Sequence, residues 1–568
     1  MIHKRLILIV FVLTLCVAVR AQTPAEPKNR EEQPSGTIDG QVVNENGQPL
    51  AGAAVFVRTL SSLSNRSTIT DNDGKFRVTG LERGLYLVGA NSPAYTSAPT
   101  GADGPTYYRV GESARVELVR GGAITGTVTS PNGEPVISVR VRATMIRDAK
   151  GQPPKGTNFG WEQPTDDRGI YRVYGLPPGT YIVSAGGTSY FSSFYPFDSD
   201  VPTYAPSSTR DTAAEVNVRS GEDSTIDIRY RSEPGHTVSG TVKVSGLGNS
   251  NISLTKPGGF LVGQAIQFPG ARGFSISGLS DGDYDLVASE IIPSTPGSLF
   301  PTQAYSEPKR ITIKGADVTG IELAPKPFGS ISGKLLLESS KVPECQGKRP
   351  PLLVETLVQF RRAETDVNKD DPLSQRSATG ATSPDTAGAF VLRNLAPGKY
   401  QFDMKFYARY WYLKSMTGNS AGAKGQRTDV AANWTTLKFG ESVSNLTVTL
   451  AEGAASIRGS VPVAEGATLP AGIVSFLVPS EPDKTDDVLR YFVTSIGADG
   501  TFTFNNLPPG KYLAITQTNV DAQIATQPKL REPEAATARA KLRRTAETKK
   551  SEIELKPCQN LADYQLKP

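Results

Sequence analysis

The chain has 568 residues, of which 38% are hydrophobic, with 55 Gly and 42 Pro. That length exceeds one domain core and predicts four or five domains, and the Gly and Pro content fits many strands and turns rather than a collagenous or disordered chain. The formal charge of +5, from 61 basic and 56 acidic residues, leaves no basic face, so nucleic acid is not an expected partner.

His3, Lys4 and Arg5 precede an apolar run from Leu6 to Val19, and Val19-Arg20-Ala21 sets up cleavage after Ala21. Residues 1–21 are therefore expected to be a signal peptide. Cys16 follows Leu15, where a lipoprotein signal wants a small residue. Residues 22–35 are polar and Glu-rich and predict a disordered leader. No later stretch is apolar and long enough for a membrane span. The expected location is outside the cytoplasm: periplasm, outer surface or extracellular. No Leu-Pro-x-Thr-Gly sorting motif is expected to anchor the chain.

A short phrase then recurs five times: Gly80-Leu81-Glu82-Arg83-Gly84-Leu85-Tyr86, Gly175-Leu176-Pro177-Pro178-Gly179-Thr180-Tyr181, Gly278-Leu279-Ser280-Asp281-Gly282-Asp283-Tyr284, Asn394-Leu395-Ala396-Pro397-Gly398-Lys399-Tyr400 and Asn506-Leu507-Pro508-Pro509-Gly510-Lys511-Tyr512. Ten residues before each Tyr stands another aromatic: Phe76, Tyr171, Phe274, Phe390 or Phe502. Each copy opens on a strand bearing a glycine, at Gly40, Gly126, Gly240, Gly333 and Gly459. The steps between those glycines are 86, 114, 93 and 126 residues, so the copies differ by insertions, which belong in loops. Lys75-Phe76-Arg77-Val78 alternates polar and apolar, as a strand with one wet face does. Pro-Gly turns the chain, and the paired aromatics are expected to face each other across a hairpin. The reading is all-β: a tandem array of about five small antiparallel β-sandwich domains, with one short helix near the C-terminus.

The run from Gly40 through Asn46-Gly47-Gln48-Pro49, Thr70-Asp71-Asn72-Asp73-Gly74-Lys75-Phe76 and on to Tyr86 resembles the carboxypeptidase regulatory-like domain. The resemblance implies a transthyretin-like, carbohydrate-binding-like sandwich, and it ties the chain to no single activity. It is closest in copies one and two. Copy three has Arg272 where the turn glycine is expected, and copies four and five lack the Asn-Gly-x-Pro turn. The expected units are 36–121, 122–234 with an aromatic insertion at 186–211, 235–327, 328–453 with an aromatic insertion at 406–434, and 454–568 with a helix at about 530–550.

The chemistry is mostly absent. After signal cleavage His236 is the one histidine, without the Glu and second His that a zinc peptidase needs. No Gly-x-Ser-x-Gly elbow accompanies it, and the acidic residues form no recognisable pair, so no enzyme, metal or cofactor is expected. Asp71-Asn72-Asp73-Gly74 has the wrong end residues for a calcium loop and reads as a tight turn. Candidate ligand-binding rings are Tyr190, Phe194, Tyr195 and Tyr204 in copy two and Tyr410, Trp411 and Tyr412 in copy four. Such rings either stack on a glycan or pack each insertion onto its own domain and into interdomain joints. Cys345 and Cys558 are either a disulfide or two buried thiols. Two functions stand at this point: an envelope scaffold that meets another envelope protein, and an array of carbohydrate-binding modules.

Overall fold

The computed structural model describes residues 36–566, apart from 61–64, 98–104, 155–160, 189–195, 244–248, 258–259, 269, 272, 293–300, 368–377, 420–426, 463–468, 471, 519, 522–523 and 550. The expected signal peptide and leader lie outside the described residues, as does Arg272. No helix among the described residues is long and apolar enough to cross a membrane.

Strands form where the alternation predicts them. In Lys75–Leu81, Phe76, Val78 and Leu81 are buried while Lys75, Arg77 and Thr79 are exposed. Ten sheets among the described residues stack as five two-sheet sandwiches. The opening strands are Gly36–Asn44, Gly122–Thr129, His236–Val242, Gly329–Glu338 and Ala455–Ser460. Each pairs antiparallel with the strand bearing the first aromatic. On its other side each pairs parallel with a strand from the end of the same unit. These parallel pairs are the departure from the otherwise antiparallel pattern. Each sandwich has its own apolar core between the sheets.

The two aromatics of each copy do not face each other across a hairpin. Phe76 belongs to one sheet and Tyr86 to the other, and the same holds in all five units. The phrase between them is a corner that carries the chain from sheet to sheet. Its first residue has positive φ in every copy: 74° at Gly80, 72° at Gly175, 75° at Gly278, 56° at Asn394 and 58° at Asn506. Gly and Asn are the residues that tolerate this conformation best. The Tyr then closes the corner. Its hydroxyl donates to the carbonyl four residues back: Glu82 at 2.8 Å, Pro177 at 2.7 Å, Ser280 at 2.7 Å, Ala396 at 2.5 Å and Pro508 at 2.8 Å.

The strand glycines seat the other aromatic. Gly40, Gly126, Gly240, Gly333 and Gly459 lie directly opposite Phe76, Tyr171, Phe274, Phe390 and Phe502. A Cβ on them would stand 2.1, 1.9, 2.0, 2.2 and 2.3 Å from a carbonyl oxygen of the parallel partner strand. No side chain fits between that backbone and the ring, so every copy keeps glycine here.

The fifth unit carries the helix. It spans Ala536–Lys549, after a helical turn at Gln527–Leu530 and a 3-10 turn at Pro533–Ala535. Leu542 and Ala546 pack on Phe476, Val478, Leu513 and Ile515. These strand residues face away from the fifth core, whose side of the same strands carries Leu477, Tyr512 and Ala514. That sheet is apolar on both faces because the helix covers its outer one.

Replacing Gly126 by Ala is expected to destabilise the second sandwich by about 3 kcal/mol, since the obstacle is backbone and cannot turn aside. Gly84→Ala, with nothing nearer than 3.9 Å to the added carbon, is expected to change stability by less than about 0.5 kcal/mol. Urea unfolding followed by hydrogen exchange unit by unit separates the two.

Candidate functional site

The residues that break the repeat gather where one unit meets the next. Five residues before each strand glycine, a linker residue donates its backbone N–H into the preceding unit. Gly121 donates to the Ala94 carbonyl at 2.8 Å, Gly235 to Ser199 at 2.9 Å, Phe328 to Gln303 at 2.9 Å and Ala454 to Tyr410 at 3.0 Å. Every acceptor lies in the segment after that unit's corner tyrosine, which is where the insertions of units two and four fall.

The corner of the following unit presses on the same segments. A Cβ on Gly278 would meet the Asp198 carbonyl at 2.5 Å and that of Asp200 at 2.8 Å. The Asn394 side chain accepts from the Gln303 N–H at 2.9 Å. The Asn506 amide donates to the Ala408 and Trp411 carbonyls, both at 2.7 Å. Thus in units three, four and five the positive-φ corner that joins the two sheets also docks the unit before it.

The sequence-derived ring candidates follow this plan. Tyr190, Phe194 and Tyr195 lie outside the described residues. Tyr204 is half-buried in the short strand Thr203–Tyr204. Burial pushes its phenol above the ordinary range, against the pull of Arg210 and Arg142. Residues 411–419 are a strand, not a loop, and they extend the sheet of the fourth opening strand. Its alternation turns Trp411 and Leu413 inward, and Trp411 is 2% exposed within the fourth core. Trp411 is therefore a core residue and not a ring offered to solvent. Tyr410 supplies the carbonyl of the fourth joint, accepts from Asn560 at 3.1 Å and lies under the Lys348 ammonium at 4.6 Å. The Tyr412 phenol is pushed up by burial.

Further contacts cross units. Cys345 and Cys558 form a disulfide between the fourth and fifth units, 213 residues apart in sequence. Trp434 donates its indole N–H to Glu534 at 2.9 Å. Arg531, 8% exposed, donates to Asp403 at 2.6 Å, while Gln401 donates to the Arg531 carbonyl at 3.0 Å. Unit one also reaches unit four. The Arg109 guanidinium lies 4.4 Å over the Tyr407 ring, and the Tyr407 hydroxyl donates to the Tyr107 carbonyl at 3.5 Å. Beside this contact Glu355 has a raised pKa. Burial is the main cause; Arg109, Arg349 and Arg83 oppose it and Glu112 adds to it.

His236 lies 3.3 Å from Asp281 and 3.8 Å from Asp317. Asp281 belongs to the corner and His236 to the opening strand, so the pair ties the two together. Asp71 spends one carboxylate oxygen accepting the backbone N–H groups of Asp73 and Lys75 at 3.0 and 2.8 Å. That is a side-chain-capped turn, closed by Gly74 at φ 67°. Among the described residues no group of three or more His, Cys, Asp or Glu is placed to hold a metal ion.

Residues 37–108 match the family model of the carboxypeptidase regulatory-like domain, and the first sandwich is a domain of that type. No curated protein matches the chain. Among solved structures it is similar to the TIE protein of Bacillus anthracis, at 16% identity over 51% of each chain with a TM-score of 0.15. That match spans about half of the TIE protein. It is also similar to a minor pilin of Streptococcus agalactiae, at 12% identity over 34% of this chain and 96% of the pilin, with a TM-score of 0.20. The shaft pilin SpaA of Lactobacillus rhamnosus GG is 10% identical over 35% of this chain and 97% of the pilin, with a TM-score of 0.18.

Opening the disulfide, by reductant or by Cys345→Ser with Cys558→Ser, is expected to lower stability at the joint of units four and five by about 2–4 kcal/mol. The urea midpoint of the helix and fifth core, read by hydrogen exchange, measures it. A second expectation concerns pH. An acid whose folded pKa is raised takes up a proton on folding, so its stability contribution falls as pH rises from its ordinary range through the raised value. The contact of units one and four is expected to weaken over that window. Glu355→Gln should remove the dependence and strengthen the contact above it. Thermal midpoints of both proteins at pH 4 and pH 8 decide this.

Proposed function

We propose that the chain is an exported, non-catalytic envelope scaffold, a semi-rigid body of five sandwiches that holds surfaces toward other envelope proteins. The observation that supports this most is the use made of the insertions. Their backbone carbonyls receive the next linker, and the corner residues of the next unit rest on them. A flexible string of modules has no need of such joints, whereas a spacer that must hold its shape does. The joints also support unit boundaries at 121/122, 234/235, 327/328 and 453/454.

Export is supported by the charged and apolar start of the chain and by the disulfide. Disulfides form and persist in oxidising compartments such as a periplasm or the cell exterior. The absence of catalysis is supported by the way potential reactive groups are occupied. His236 faces two turn aspartates, Asp71 caps a turn, and the corner tyrosines are spent on carbonyls.

Hydrogen exchange on the intact mature protein tests the scaffold reading. The amides of Gly121, Gly235, Phe328 and Ala454 are expected to exchange at least about 100-fold more slowly than unstructured peptide, corresponding to local opening that costs a few kcal/mol. Exchange at peptide-like rates would leave the units freely jointed and overturn it. Asn506→Gly keeps the backbone conformation but removes both side-chain bonds. It is expected to cost about 1–2 kcal/mol at the last joint and to speed exchange at Ala454, with the other three linker amides unchanged.

A further inference from the structure

One sheet face of unit one is open to solvent where its equivalents in other units are covered. It is the outer face of the sheet that holds Ala54–Thr59 and Leu85–Asn91. Register against the corner tyrosine identifies the equivalents: Tyr86 pairs with Thr59, Tyr181 with Met145, Tyr400 with Arg362 and Tyr512 with Pro479. Three residues back from these partners, Phe56 of unit one stands where Phe476 stands in unit five. One residue back, Arg58 of unit one stands where Arg361 stands in unit four.

The equivalents show what such a face takes. Phe476 is 0% exposed, and Leu542 and Ala546 of the helix pack on its side of the sheet. Arg361 pairs with Glu532 and donates to the Pro528 carbonyl at 3.3 Å. Both covers come from one largely helical stretch, residues 527–549. In unit two Arg142, Thr144, Ile182 and Ser184 of the same face are buried as well. In unit one Phe56 is 42% exposed, and Ile69, opposite Ala54 on that face, is 68% exposed. Arg58 is exposed and forms no ion pair among the described residues. Gly89 lies opposite Phe56, and a Cβ there would stand 2.3 Å from the ring. The phenyl is thus seated on the backbone, and an ordered ring costs less entropy to dock. Beside it Leu87 pairs with Tyr107, which also lines a cleft of about 620 Å³ between units one, four and five.

We propose that this face docks an amphipathic helix of a partner protein, with a Leu/Ala stripe over Phe56 and Ile69 and an acidic residue against Arg58. The proposal rests on the scaffold reading and names the surface and the kind of partner for it. The helix is chosen because the chain covers the same face that way in units four and five, and an amphipathic helix lays its apolar side on just such a surface. The acid is chosen by charge: Arg58 lacks what Glu532 supplies to Arg361. The chain's own helix is committed to unit five, and no other helix of its length occurs among the described residues. The occupant is therefore a different protein.

The test uses the intact mature protein and isothermal titration with synthetic helical peptides of about five turns. One set carries a Leu/Ala stripe flanked by Glu, a second the same stripe flanked by Lys, and a third the Glu set with its order scrambled. The Glu peptides are expected to bind, the Lys peptides to bind about tenfold more weakly, and the scrambled set to show no measurable heat. Phe56→Ser, on an exposed side chain, should weaken the Glu peptides about tenfold or more while hydrogen exchange within unit one stays unchanged. Arg58→Glu should reverse the preference, so that the Lys peptides bind better. Tyr174→Ser, exposed on unit two, should alter nothing. Failure of every Glu peptide, equal binding of the scrambled set, an unaffected Phe56→Ser protein or an unreversed preference in Arg58→Glu would each overturn the proposal. So would a dimer in sedimentation that Phe56→Ser dissociates, which would give the face to a second copy. None of these outcomes bears on the scaffold reading itself, which stands or falls on linker exchange.

Discussion

The rest of the architecture hangs on one backbone hydrogen bond, made four times. Five residues ahead of each strand glycine, a linker N–H reaches a carbonyl in the segment that follows the corner tyrosine of the preceding unit. The glycine fixes where the opening strand sits in its own sandwich, and five residues ahead of it the chain is already bonded to the preceding unit. A linker this short and this tied does not behave as a flexible coil. The orientation of each unit is therefore set by local geometry, and the same local geometry recurs although the units differ in length and in sequence.

The corners of units three, four and five are bivalent for a physical reason. A residue in the left-handed region bends the chain sharply and leaves its flank open to close approach. Gly278 uses the opening by letting the Asp198 and Asp200 carbonyls come near. Asn394 and Asn506 fill the opening with an amide that bonds across the joint. The same backbone requirement thus admits two joint chemistries, close packing with Gly and side-chain bonding with Asn. The disulfide and the helix reinforce the last joint further, and there the fourth core even takes in Val488 and Leu489 from unit five. Units three and four share a different kind of packing, Tyr305 stacked on Phe328 with ring centroids 4.4 Å apart.

Much of this was legible in the residues, and the illegible parts share a cause. The aromatic, the tyrosine and the strand glycine are visible because side-chain volume decides them; a ring needs a seat and a seat needs glycine. The alternation of Gly80, Gly175 and Gly278 with Asn394 and Asn506 was a signal of positive φ that the turn-centred reading passed over. It would have shown that the aromatics flank a corner between sheets rather than a hairpin. The joints themselves leave no such trace. Gly121, Gly235, Phe328 and Ala454 share nothing but an N–H, and a backbone donor is blind to residue type. Trp411 misled for a related reason. Its neighbours read as a loop insertion, but pairing with the strand Ser442–Glu452 imposes a two-residue period that turns the indole inward.

The convergence of units one, four and five changes what the array can do. A linear string offers each unit's surface separately. Bringing unit one against unit four, through Arg109 and Tyr407, creates a concave region from faces that are individually unremarkable. The residues that line it come from parts of the chain more than 400 positions apart, Tyr107 and Arg531 among them, and no motif search along the sequence would group them. The shape of the cleft therefore depends on how the units are held together. If the joints loosen, the cleft loses a wall before any of its own residues changes, so an alteration at a distant linker reaches the cleft through geometry alone.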